Sequence, residues 1–112
     1  MLLVFAGKAE HDHALVHQLR RAGLVATAID TKLGGDTHNV LRSGLAERLE
    51  WLVRARAYDA VFVATPCESY SVRHAPQLRS RAQVAGIEPV PPEWQRYLAK
   101  HNALAEVTAR LL

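Results

Sequence analysis

Three short apolar runs divide the first two thirds of the chain. They span residues 2–5, 24–29 and 60–64, and each is followed at once by small or polar residues or by proline. Runs of this length without alternation are typical of strands in parallel sheets. They predict strands near residues 2–6, 24–29 and 60–64, the last of them buried on both faces.

Amphipathic stretches separate these runs. Between residues 11 and 22, Leu15, Leu19 and Ala22 share one face of a helix, widened by Ala14 and Val16, and Gly23 follows as a stop signal. A second helix is predicted at about residues 44–57, with Ser43 as its N-cap. Its apolar stripe consists of Leu45, Leu49, Leu52 and Val53, joined by Trp51.

Strand, helix and strand with tight joints predict a right-handed, parallel βαβ unit. In the doubly wound order the first strand then lies between the other two. We therefore expect a Rossmann-like, three-layer α/β domain with a short parallel sheet.

The last third of the chain begins with an irregular segment. Residues 72–92 show little periodicity and contain Gly86 and several prolines. Loops of this length are uncommon in compact domains and are usually functional lids or disordered segments. Pro91-Pro92-Glu93 then begins a final helix that continues to Leu112. Residues 1–112 are expected to form a single domain.

Composition narrows the class of protein. The chain has 112 residues, of which 49% are hydrophobic, enough for one modest core. One cysteine excludes a disulfide framework and suits a reducing compartment. Residues 2–5 lack the features of a signal peptide, and no apolar run approaches the roughly 20 residues of a membrane span. We expect a cytoplasmic protein without membrane association.

Charge and histidine content leave the partners open. The net charge of +3 permits contact with nucleic-acid phosphates and fits an ordinary solvated surface equally well. Among six histidines, His13 and His17 lie one helical turn apart, just after His11 and Asp12. A metal site needs three or four converging ligands, and the sequence shows no second cluster. We expect solvated histidines and no metal.

Candidate chemistry lies where the strands end. In open α/β sheets, ligands bind at the carboxyl ends of the strands. Asp30 closes the second strand, where a carboxylate is placed to accept hydrogen bonds from ribose hydroxyls, although aspartate is also common in loops. Cys67 follows the third strand, although a free cysteine is often only a small buried apolar residue.

The residues around Cys67 resemble a known motif. The third strand is followed by Pro66-Cys67-Glu68-Ser69-Tyr70-Ser71. This string resembles the cysteine motif of the DNA cytosine methyltransferases that act at carbon 5, in which proline, cysteine, glutamine, an intervening residue, an aromatic residue and serine follow a strand. Glu68 stands where that family usually has glutamine. The resemblance implies DNA as the substrate, S-adenosylmethionine as the cofactor, Cys67 as the nucleophile and Pro66 as the residue that shapes its turn.

The same resemblance assigns cofactor contacts. Phe5-Ala6-Gly7 is similar to the opening of the family's first motif, whose glycine lets the backbone approach the cofactor closely. The family continues with more glycine, whereas this chain continues with Lys8, so an ordinary turn explains the glycine equally well. Asp36 corresponds to a family carboxylate near the adenine, and a turn also explains it.

The resemblance also assigns contacts to DNA. In the family, the segment after the cysteine is a mobile loop that closes over a target base extruded from the duplex. Here the residues expected on the nucleic acid are Ser69, Ser71, Arg73, His74, Arg79 and Arg81. The cations among them would suit phosphates. The alternative is a floppy basic loop.

One family motif is missing. The family places Glu-Asn-Val on the next strand to engage the cytosine ring, and this tripeptide occurs nowhere in the sequence. We therefore expect the first half of a catalytic domain, without robust activity alone. Two alternatives stay open: a non-catalytic module that binds an adenosyl or nucleotide ligand, and one half of a split enzyme completed by a partner chain.

Overall fold

The computed structural model describes residues 1–8, 14–42, 44–71 and 73–112, and in them three strands form one parallel sheet. The strands are β1 (Leu2–Val4), β2 (Thr27–Ile29) and β3 (Val61–Val63), in the order β2-β1-β3. The predicted α/β class, the approximate places of the strands and the central position of the first are confirmed. Each strand is shorter than the apolar run that predicted it.

Helices cover both faces of the sheet. They are α1 (Leu15–Arg21), α2 (Thr31–Gly34), α3 (Leu45–Arg54) and α4 (Pro92–Leu111), with 3₁₀ turns at Gly35–His38 and Glu68–Tyr70. Since successive side chains of a strand point to opposite faces, β1 contributes side chains to the helical layers on both faces of the sheet. Leu3 packs with Val16 and Ala26 near α1, whereas Leu2 and Val4 join a larger cluster with α3 and α4.

Strand β1 is the centre of the hydrophobic core. Leu2, Leu3 and Val4 are all 0% exposed. The larger cluster continues through Leu49 of α3 and Leu104 of α4. Burial of an aliphatic side chain contributes about 1.5–3 kcal/mol. The register pairs Val4, the last residue of this strand, with Ile29 and Val63, so the three strands end at the same level.

The expectation that the third strand is buried on both faces was wrong. Phe62 is 49% exposed, and Val61 and Val63 are only partly buried. The register places Phe62 beside Leu3, on the face that α1 covers. Strand β3 lies at the edge of the sheet. The residues that bury Leu3 of the central strand on this face therefore leave Phe62 accessible to solvent.

Two helical faces also differ from the prediction. Leu15 is 43% exposed and Ala22 is exposed, because α1 turns Val16 toward the sheet instead. Trp51 is 67% exposed, while Ala46 and Leu49 form the buried side of α3. The spacing of aliphatic residues correctly predicted both helices. However, each predicted apolar stripe is wider than the face of the helix that packs against the sheet, so some of its residues are exposed.

Helix starts and stops follow local signals. Gly23 ends α1 in the left-handed region at φ 83°, as the sequence predicted. The predicted N-cap Ser43 lies outside the described residues. Gly44 occupies the N-cap position of α3, and its N–H donates to Glu47 Oε2 at 3.1 Å.

Polar contacts join α4 to α3 and to the chain just after β3. Arg110 of α4 donates to Glu50 of α3 at 2.6 and 3.0 Å. Thr108 donates to the Leu104 carbonyl, so the 2.5 Å contact between its hydroxyl and that of Thr65 has Thr65 as donor. The chain just after β3 is therefore tied to α4.

The predicted irregular segment is confirmed in its described part and is anchored. Residues 73–91 contain no helix or strand. Leu78 is nevertheless 1% exposed and Arg79 is 7% exposed. Such burial is unlike the floppy loop considered from composition.

Candidate functional site

A cleft of about 330 Å³ lies beyond the carboxyl ends of the three strands. Its wall includes Phe5 and Gly7 after β1, Asp30 after β2, and Pro66 and Glu68 after β3. Helix α4 closes one side with Lys100 and Leu104. The sheet topology thus brings four sequence-predicted residues to one cavity: Phe5, Gly7, Asp30 and Pro66.

The turn after β1 wraps around the end of β2. The N–H groups of Phe5 and Ala6 both donate to the Ile29 carbonyl, at 2.8 and 3.3 Å. Phe5 has φ 58° and Gly7 has φ 78°, both in the left-handed region. For phenylalanine this conformation costs roughly 1–2 kcal/mol, and such strain is concentrated at ligand sites.

Asp30 joins this turn to the next loop. Its Oδ2 accepts the Gly7 N–H at 2.8 Å, and its Oδ1 accepts the Lys32 N–H at 2.8 Å. Each carboxylate oxygen has a further lone pair. The side chain is partly buried in the cleft wall and can therefore accept a hydrogen bond from a ligand hydroxyl without releasing either loop.

Cys67 lies at the margin of the cleft. The residue is exposed and caps the 3₁₀ turn Glu68–Tyr70, where its carbonyl accepts the Tyr70 N–H at 3.0 Å. Its neighbours Pro66 and Glu68 line the cavity, whereas Cys67 itself does not. The thiol is thus accessible to solvent beside the cleft, not packed inward among aliphatic side chains.

Arg79, which the sequence analysis expected to contact DNA, is instead buried within the protein. Its guanidinium donates to Ser69 Oγ at 3.1 and 3.0 Å, to the Val84 carbonyl at 2.6 Å and to Asn102 Oδ1 at 2.6 Å. It also lies 3.9 Å from the centre of the Tyr70 ring. Ser69, only 2% exposed, faces inward with it. Both residues hold the segment after Cys67 against α4.

The remaining residues expected on DNA lie nearer the surface. Ser71, Arg73 and Arg81 are exposed, and Ser71 Oγ accepts the Arg73 N–H at 3.1 Å. His74 is partly buried, with its ring centre 5.0 Å from that of Trp94. These side chains do not line the cleft.

Two residues expected at the cofactor are not in the cleft wall. Asp36 is exposed and forms an ion pair with Arg42. Ala6 contributes a backbone hydrogen bond to the turn and does not line the cavity.

Sequence patterns missed several residues of the cleft. Lys32, His38 and Lys100 all line it. Lys32 follows Asp30 so closely that the strand end could have indicated it. No sequence signal could have placed Lys100, because its position depends on how α4 packs across the sheet.

His101 is a buried histidine behind the Cys67 loop. It is 6% exposed, its Nδ1 has no hydrogen-bond partner among the described residues, and its Nε2 lies 3.9 Å from Glu68 Oε2. Burial lowers the pKa of His101. Glu68 raises this pKa, and the cations Lys100 and Arg79 and the neighbouring His74 lower it.

We expect this histidine to make the protein less stable in mild acid. A pKa held below its unfolded value of 6.5 means that the unfolded chain binds the proton more readily. The contribution of neutral, buried His101 to the free energy of unfolding is therefore complete above pH 6.5. It is lost as the pH falls toward the pKa of His101 in the folded protein. Thermal unfolding at pH 7.5 and 5.5 should show a smaller acid-induced drop for His101→Phe than for the wild type. His17→Gln serves as the control, and an unchanged drop in His101→Phe would contradict the assignment.

The described residues show neither a membrane-spanning helix nor a cluster of metal ligands. Within residues 1–8, 14–42, 44–71 and 73–112, no helix is both long and apolar enough to cross a membrane. Across the same ranges, no group of three or more histidine, cysteine, aspartate or glutamate side chains is placed to hold a metal ion. Comparison with protein-family models, curated proteins and solved structures found no match.

Proposed function

We propose that this chain is a Rossmann-like, methyltransferase-like domain that binds S-adenosylmethionine in the cleft. The observation that carries the proposal is the junction of Gly7 and Asp30, where the 2.8 Å hydrogen bond joins the ends of β1 and β2. A close backbone turn beside an acidic residue at this edge of a parallel sheet suits an adenosyl group.

The residues of the cleft fit such a ligand. Its volume of about 330 Å³ lies within the range of about 300–1,000 Å³ of small-molecule pockets. Asp30 supplies acceptors for ribose hydroxyls, Phe5 supplies apolar surface, and Lys32 and Lys100 supply cations for the amino-acid carboxylate. When bound, S-adenosylmethionine supplies an electrophilic methyl group.

Titration calorimetry tests this proposal. We expect binding of one molecule of S-adenosylmethionine or S-adenosylhomocysteine per chain, and no comparable binding of methionine. Measurements at two temperatures detect binding even where the enthalpy is near zero at one of them, because burial of apolar surface changes the heat capacity. A chain that binds neither adenosyl compound at either temperature would remove the proposal.

Cys67 supports a second, catalytic proposal: covalent attack on cytosine in DNA. The observation that favours it is the exposed thiol between two residues of the cleft wall. The Cys67 thiolate would add to carbon 6, forming the S–C bond, and the displaced ring electrons would let carbon 5 take the methyl group, whose bond to the sulfonium sulfur breaks and leaves S-adenosylhomocysteine. Loss of the carbon 5 proton to water and elimination of the thiolate then restore the ring.

Complete turnover is proposed only together with a partner chain. The family's Glu-Asn-Val carboxylic acid engages the cytosine ring, and the sequence contains no such tripeptide. The chain's own contribution is the adenosyl site and the thiol, and the partner supplies the acid. This division agrees with the split-enzyme alternative.

An oligonucleotide that contains 5-azacytosine tests the thiol. We expect a covalent adduct, detected as an increase in protein mass, that is absent in Cys67→Ser. The double variant Cys67→Ser/Ala57→Cys places an exposed thiol after α3 and controls for general thiol reactivity. An equal yield from this control, or no adduct with the wild type, would remove the nucleophile and leave the binding proposal standing.

A further inference from the structure

His38 occupies a defined position in the cleft. It ends the 3₁₀ turn Gly35–His38, is partly buried, and forms part of the cavity wall. Its Nδ1 accepts a hydrogen bond from the backbone N–H of Asp30 at 3.4 Å. A neutral imidazole has one donor and one acceptor nitrogen, so the ring proton is on Nε2.

The chain makes room for this ring at Gly34. The backbone of Gly34 has φ −115°, which any residue adopts, so its conformation does not require glycine. A Cβ atom at this position would instead overlap the imidazole of His38. The turn is also held by the Thr37 hydroxyl, which donates to the Gly34 carbonyl at 2.6 Å. The absence of a side chain at position 34 therefore serves the placement of His38.

The Nε2–H of His38 is available to a ligand. In the described part of the chain it has no hydrogen-bond partner, although the ring lines the cavity. Asp30 lies directly beside it, since its backbone N–H holds the ring and its carboxylate faces the same cleft. A donor and an acceptor are thus adjacent on one wall.

An adjacent donor and acceptor match a vicinal diol. One hydroxyl of a diol donates its proton to a carboxylate, while the neighbouring hydroxyl oxygen accepts a proton from an N–H group. A ligand without these hydroxyls would leave both partly buried protein groups without their ligand partners, and such losses are a strong source of discrimination.

We propose that His38 determines specificity in the cleft by donating its Nε2–H to a ribose hydroxyl whose neighbour donates to Asp30. This inference rests on the proposed function, because it concerns the same adenosyl site. It restricts the ligand to ribonucleosides and their conjugates and disfavours the corresponding deoxy compounds.

The test compares adenosine with 2′,3′-dideoxyadenosine by titration. For the wild type we expect adenosine to bind at least about 10-fold more tightly. His38→Asn keeps a carbonyl that can accept the Asp30 N–H and removes the donor at the Nε2 position. In this variant we expect the preference for adenosine to fall about 5-fold.

Further variants keep the test decisive. Gly34→Ala retains His38 but displaces its ring, so it should reduce the preference in the same way. His17→Asn makes the same chemical change on α1 and should leave the preference unchanged. Circular dichroism establishes that each variant is folded, and Gly34→Ala carries the test if His38→Asn does not fold.

The outcomes separate the two proposals. An equal preference in the wild type, His38→Asn and Gly34→Ala would overturn the role of His38 while adenosine binding still supports the proposed function. A wild-type protein that binds S-adenosylhomocysteine but does not distinguish adenosine from the dideoxy compound would also overturn it. Failure to bind any adenosyl compound would overturn the proposed function itself.

Discussion

Arg79→Met is expected to lower the free energy of unfolding by about 3 kcal/mol, which corresponds to a fall of about 10 °C in Tm. Arg79 is 7% exposed, and its guanidinium makes hydrogen bonds to Ser69, Val84 and Asn102. Methionine has a similar length but no donor. The buried hydroxyl of Ser69 and the partly buried oxygens of Val84 and Asn102 would each lose a charge-assisted hydrogen bond, which contributes about 1.5–3 kcal/mol where it is satisfied.

The same contacts explain why the effect should extend beyond one side chain. Arg79 joins the 3₁₀ turn after Cys67, the irregular segment and α4. Asn102 reinforces the junction by donating to the Ala85 carbonyl at 2.8 Å. Loss of the guanidinium therefore loosens the segment on which Cys67 lies.

Chemical denaturation measures this prediction, with Arg81→Met as the matched control. Arg81 is exposed in the same segment, so its replacement should change the free energy of unfolding by no more than about 0.5 kcal/mol. Equal stabilities of the two variants would show that the guanidinium of Arg79 is solvated and that the segment is not anchored through it.

Asp30→Asn is expected to weaken adenosyl binding by about 2–3 kcal/mol, or about 30- to 150-fold. The substitution keeps the shape of the side chain but removes its charge. One carboxylate oxygen becomes an NH₂ group, which then faces the N–H of either Gly7 or Lys32. The ribose loses an acceptor, and the turn that approaches the ligand loses its tie to β2.

Titration with S-adenosylhomocysteine measures this loss. Asp59→Asn is the control because Asp59 is exposed just before β3 and does not line the cleft. Thermal unfolding establishes that Asp30→Asn remains folded at the temperature of titration. Unchanged affinity in a folded Asp30→Asn protein would place the adenosyl site elsewhere.

Local sequence patterns predicted the parts of the fold that local physics determines. The three apolar runs indicated the strands because parallel strands covered by helices are rich in apolar residues, although of the three strands only β1 is buried throughout. Gly23 marked the end of α1 because glycine adopts the left-handed conformation without strain. Asp30 was found for the same kind of reason, since the residue that ends a parallel strand has a fixed place at the ligand edge.

Other features depend on neighbours distant in sequence. The sequence pattern predicts Phe62 as a core residue, and its exposure is explained only by the position of β3 at the edge of the sheet. The sequence suggests a surface cation at Arg79. Its burial depends on acceptors at positions 69, 84 and 102, which only the fold brings together. His38 gave no signal, since its role depends on the fold of the 3₁₀ turn and on the space that Gly34 leaves.

Mapping of amide chemical shifts on addition of S-adenosylhomocysteine tests the adenosyl site most directly. We expect the largest changes at Gly7, Asp30 and Asn39, whose residues line the cleft around the ends of β1 and β2. Amides of α1, none of whose residues lines the cleft, should change little. Saturable shifts confined to residues outside the cleft, or no shifts at all, would contradict the account.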